Sequence, residues 1–292
     1  MATVTGRREA APLRTGAGRA RAGARGRRAP DAGAPSRATR TVVLGVVGVL
    51  FALPLVAMVE FSLRTAGGYG LDHWAAILAP ENARTYRNLF AGVTNSLVLA
   101  VATVAIMLAL LVPTMVLVRL RLPHLQRALE LVCLLPITIP AIVLVVGLAP
   151  VYSVVARVFG SDAWTLALAY GVLVLPYAYR AIAANLAAVD AVTLAEAART
   201  LGAGWPTVVV RVILPNLRRG LLAASLISVA VVLGEYTIAS LLNRANLQTA
   251  VVQVSKSDPY VAVIFAMLAL ALGFVLLFVM GRASAARPGR KS

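Results

Sequence analysis

Few side chains in this 292-residue chain could do chemistry, and the sharpest is Glu235. It interrupts the apolar run VVLGEYTIASLL. A carboxylate inside an apolar helix is costly and normally faces a cavity or a partner. Two uses stay open for it. It could line a polar path, or it could be a structural charge paired with an Arg or capped by hydroxyls such as that of Thr237. Gly234 beside it permits close packing or a local break of the helix. Tyr236 could face the same path or an interface. Glu60 ends an apolar run, where an interfacial carboxylate is ordinary. His73 and His124 fall in different connecting segments and read as loop residues. Cys133 is the single cysteine and sits in an apolar run, so it reads as a small buried hydrophobe.

The motifs of catalysis are missing. There is no G-x-x-x-x-G-K-[ST] phosphate loop, no H-E-x-x-H and no G-x-S-x-G. We expect a chain that is not an enzyme, binds no metal or cofactor, and neither binds nor hydrolyses ATP.

A second constellation lies at 189–217, VDAVTLAEAARTLGAGWPTVVVRVILPNL, a polar, cation-rich stretch between apolar ones. Leu194, Ala197, Ala198 and Leu201 recur at i, i+3, i+4 and i+7, which predicts one face of a short helix. The small Ala197 and Ala198 would let another backbone come close. Gly202 stands where a left-handed helix stop is wanted. Gly204-Trp205-Pro206 turns the chain, and Pro206 suits the first turn of a second helix. Val208, Val209, Val212 and Ile213 give that helix an apolar face, and Pro215 is expected to end it. Physics alone leaves two readings open: a surface that docks a partner, or a helix pair that packs beneath the bundle.

The elements that must position these residues are membrane spans. The sequence is 60% hydrophobic and 13% charged, with a mean hydropathy of +0.85. Soluble proteins carry about 25% charged residues. A span needs roughly 20 apolar residues, and six segments meet or approach that: 42–59, 91–118, 131–156, 163–179, 220–243 and 259–281. Pro136 and Pro140 should break the third span, beside protein or a wet cavity. Pro113 and Pro176 look like shaping of span ends. Alternating the connections between two sides divides the Lys and Arg residues 22 to 6, and the short loops alone divide 8 to 6. The positive-inside rule then puts both termini and the 180–219 segment in the cytoplasm.

The net charge of +17 is concentrated in the first 40 residues, which hold ten Arg. That stretch reads as a disordered cytoplasmic tail touching anionic lipid, not as a nucleic-acid-binding arm. Arg7-Arg8 and Arg27-Arg28 raise a twin-arginine signal, but no A-x-A site follows the long apolar run, so no cleaved signal peptide is expected. The domain reading is a tail at 1–40, a first transmembrane helix and extracytoplasmic loop at 41–90, a core at 91–283 and a cytoplasmic tail at 284–292.

Glu196-Ala197-Ala198-x3-Gly202-x9-Val212-x-Leu214-Pro215 resembles the EAA loop of binding-protein-dependent ABC importer permeases of type I. Val212 stands where isoleucine is common. Asn95-Ser96-Leu97, Pro140, and Pro176 with Arg180 fit the same family, over roughly residues 91–283. The resemblance implies an all-α, six-span permease of the bacterial inner membrane, with both termini cytoplasmic. It also implies a helix-turn-helix coupling loop at 186–217 between spans four and five. That loop would dock on an ATPase through Glu196, Ala197, Ala198 and Gly202, flanked by Leu201, Ala203 and Trp205. The partners implied are two ATPase subunits carrying ATP and Mg, a second permease, identical or homologous, and an extracytoplasmic solute-binding protein. The translocation path would draw on Glu235, Tyr236, Asn95, Ser96 and Pro140. GEYTIASLL resembles the cluster that imports polyamines, thiamine, ferric iron, sulfate or aminoethylphosphonate. A polyamine such as spermidine or putrescine is the first expectation, because an acidic path residue would offset its charge. An ion-coupled secondary transporter using Glu235 as its ion site is the rival from another class.

Overall fold

The computed structural model describes residues 36–285. The expected tails at 1–40 and 284–292 lie mostly outside them; residues 37–40 already form the first turn of a helix. By contacts the chain falls into two units, 1–51 and 52–292, and the boundary lies inside the first helix, α1 (Arg37–Ser62). Six helices among the described residues are long and apolar enough to span a membrane. Half of the apolar stretch of the fourth span is buried.

The core of the second unit is built by α3 (Arg87–Arg121), α6 (Ala167–Ala188) and α9 (Leu214–Gly234), with α2 (Asp72–Leu78), α4 (Gln126–Leu134) and α5 (Ala141–Phe159) packed around them. Close approach between α6 and α9 depends on Gly220. A Cβ there would meet Asn185 Cβ at 2.6 Å. Gly92 does the same service for α3, where a Cβ would lie 2.8 Å from Asn246 O. The only strands among the described residues are Arg64–Thr65 and Gly68–Tyr69, an antiparallel pair. Beside it Glu60 accepts hydrogen bonds from Arg64 and Tyr69, each at 2.8 Å.

The third span is broken as its prolines predict. A 3₁₀ turn over Leu135–Thr138 contains Pro136, and Pro140 is the N-cap of α5. Pro113 and Pro176 differ from expectation: both lie inside helices, which run on to Arg121 and Ala188. A membrane helix tolerates proline where neighbouring protein covers the freed carbonyl, and Pro176 is buried.

The fifth span differs more. Pro215 does not end the second helix of the loop. From α8 (Trp205–Thr207) the chain passes through a π-helical turn, Val208–Ile213, straight into α9, and Pro215 lies in its first turn. Proline removes one N–H and its ring clashes with the carbonyl four residues back. A π turn widens the helix locally and takes up that mismatch. At its far end α9 stops at Gly234, and Glu235 is extended. A five-residue helix, α10 (Thr237–Leu241), follows, and then α11 (Leu247–Val254), where only a connection was expected. The last span is α12 (Pro259–Ala285).

Candidate functional site

The first helix of the patterned segment is α7 (Ala191–Thr200). Asp190 caps it, accepting from Thr193 N at 3.2 Å and Thr193 Oγ1 at 2.6 Å. These bonds hold the Asp190 carboxyl below the usual aspartate range. At the other end Gly202 has φ +85°. Its N–H bonds to Arg199 O at 2.9 Å, and that of Ala203 to Ala198 O at 3.1 Å. This is a Schellman stop on a left-handed glycine.

The face that packs inward is shifted from the expected one. Ala191 and Ala195 are buried, and Leu194 and Ala198 pack against the core. The spacing is still i, i+3, i+4, i+7, but three residues earlier, because α7 packs on the π-helical turn Val208–Ile213 and on α3. Glu196, Ala197 and Gly202 are therefore exposed, and Leu201 is 88% exposed. Ala203 packs on the core. Trp205 is half-buried: the guanidinium of Arg121 lies 4.0 Å from its ring centroid and that of Arg199 4.8 Å.

Glu235 is buried in the break of the fifth span. Its carboxylate accepts from Tyr170 Oη at 2.7 Å, Ile238 N at 2.9 Å and Ala239 N at 3.4 Å. It caps α10 and ties the break to α6. Its partners are a tyrosine and backbone amides, neither an Arg nor Thr237. Asn246 Nδ2 donates to Glu235 O at 2.7 Å and Tyr170 Oη at 3.2 Å. Gly234 does not serve close packing, for a Cβ there would meet nothing within 4 Å among the described residues. Ser96 accepts from Leu247 N at 2.8 Å and Asn95 donates to Ala245 O at 2.9 Å, so both staple the 245–247 turn to α3. Tyr236 is 41% exposed. Pro140 is an exposed cap on a different element.

Sequence reasoning missed Tyr170, Asn246, Arg121 and Asp190. Two left a trace. Asn246 with Thr249 forms a capping box, and Asp190 stands three before Thr193, the spacing of an N-cap. Tyr170 and Arg121 act across the fold and leave no local signal.

A family model described as the binding-protein-dependent transport system inner membrane component matches residues 115–288. That stretch holds the broken third span, the Gly202 stop and the Glu235 break. The chain belongs to this family. Its family is that of a membrane transport component, a transport subunit and not an enzyme, and six helices among the described residues are long and apolar enough to span a membrane. The chain is also similar to the probable ABC transporter permease protein y4fN of Sinorhizobium fredii (strain NBRC 101917 / NGR234), with 26% identity over 273 residues. The match covers 88% of this chain and 48% of that protein, so the chain spans about half the length of the curated relative it matches.

Proposed function

We propose that this permease is one subunit of an ATP-driven importer and that α7 with its Gly202 stop is where an ATPase subunit docks. The observation that carries this is the exposed ridge of Glu196, Ala197, Leu201 and Gly202. A leucine left 88% exposed beside a glycine stop, while the opposite face of α7 packs inward through Ala191 and Ala195, has the form of a knob for a groove. Ala198, Ala203 and Trp205 hold the ridge from behind.

The working complex would contain two ATPase subunits carrying ATP and Mg, a second permease and an extracytoplasmic solute-binding protein. Both termini and the docking ridge would face the cytoplasm of the bacterial inner membrane. A second permease is supported by the relative, which is about twice the length of the stretch it shares with this chain. ATP binding would draw two such ridges together and favour an outward-open bundle, and the loaded binding protein would favour the same state.

Spermidine or putrescine is the first substrate to try. With the Glu235 carboxylate engaged by Tyr170 and two amides, that choice rests on the likeness of GEYTIASLL to such importers. Thiamine, ferric iron, sulfate and aminoethylphosphonate are the alternatives. The test is ligand binding by the cognate binding protein, followed by uptake in proteoliposomes. Uptake of the bound ligand without ATP or an ATPase would overturn the proposal in favour of a gradient-driven carrier.

A further inference from the structure

We propose that Trp205 is a latch that carries movement of the docking ridge into α3, and not part of the surface the ATPase touches. The inference rests on the docking role of α7. Three elements meet on this one ring. Arg121 belongs to the last turn of α3, Arg199 to the last turn of α7, and Trp205 opens α8. Both guanidinium groups lie over the indole, at 4.0 and 4.8 Å from its centroid.

The choice of tryptophan has a cost. Its Nε1 is buried and has no hydrogen-bond partner among the described residues. A buried orphan donor is destabilising, and a phenylalanine would avoid it. What tryptophan supplies is the strongest face for a cation. The ring is therefore placed for its two arginines.

The other end of α3 explains what the latch would move. Ser96 and Asn95 hold the 245–247 turn, and Asn246 within it holds Glu235 O. From residue 96 to residue 121 runs one unbroken helix, about 38 Å at 1.5 Å per residue. A pull on Trp205 thus reaches the break in the fifth span through one rod and two sets of hydrogen bonds.

The full complex in proteoliposomes, with its ATPase and binding protein, gives the readout. Arg121→Gln removes one cation at an exposed residue and leaves the core intact. It should keep the ATPase bound and basal hydrolysis normal, lose stimulation by the loaded binding protein, and cut transport about two- to fivefold, the scale of a cation–π contact at an exposed site. Trp205→Leu should match it, the double variant should be no worse than either single one, and Trp205→Phe should fall between. Wild-type stimulation and transport in Arg121→Gln would overturn the latch. So would release of the ATPase by Trp205→Phe, which would assign Trp205 to the docking surface. Failure of the docking role reads differently: Leu201→Asp would then keep both ATPase and transport.

Discussion

At the scale of single residues, Glu235 shows how a buried charge is made tolerable in a membrane protein. An unpaired carboxylate in a span is expensive, yet here Tyr170 and two amides occupy its oxygens. The carboxylate replaces the hydrogen bonds lost where α9 stops, so the charge and the break support each other. Tyr170→Phe should cost about 1–3 kcal/mol, because it strips a hydrogen bond from a charged buried group. Thermal unfolding of Tyr170→Phe, Glu235→Gln and the double variant in detergent would measure it. The account expects the double variant to be more stable than the two losses summed. Strict additivity would mean that the two groups do not act as a pair. Sequence alone could raise Glu235 as unusual, since one acid in an apolar run is visible. Its partner lies 65 positions away on another helix, and no local pattern links them.

Among the helices, what was legible followed local rules. The first helix of the patterned segment, its glycine stop and the proline break of the third span all come from short-range geometry, and each is present. The π turn before Pro215 was not legible, because proline normally reads as an end and only the continuing helix reveals that the mismatch was absorbed. The inward face of α7 was also misread. Alanines at 191, 195, 197 and 198 give two candidate faces with the same spacing, and only the packing on the π turn and α3 selects one. Two predictions belong here. Gly220→Ala should destabilise the bundle by about 1–3 kcal/mol through overpacking, since its Cβ would stand 2.6 Å from Asn185 Cβ; an unchanged melting temperature would contradict the close α6–α9 contact. Asp190, with its pKa lowered by Thr193, stabilises the start of α7 fully above the ordinary aspartate value. That contribution is lost as pH falls below it towards the lowered one. Amide exchange at Thr193, corrected for intrinsic rates, should rise over that acidic window in the wild type and stay high in Asp190→Ala. Equal protection in both proteins would remove the cap from the account.

For the molecule as a whole, the distribution of apolar surface fits a permease. Large hydrophobic residues such as Val101, Leu110 and Val146 are 66–70% exposed on the long helices, while polar side chains such as Ser96, Ser228 and Asn246 are buried at helix contacts. That inversion is expected where lipid is the outer solvent. Fold class and family were legible because six apolar segments and one patterned segment are properties of sequence in order. The break at Glu235 and the Trp205 stack depend on which helices become neighbours. The central claim is that the exposed ridge of α7 docks an ATPase. The direct measurement is co-purification of the cognate ATPase with the tagged permease, comparing wild type, Gly202→Trp and Leu201→Asp at matched membrane expression. The account predicts that the wild type carries the ATPase and that both variants lose it together with uptake. Full recovery of the ATPase with both variants would contradict it.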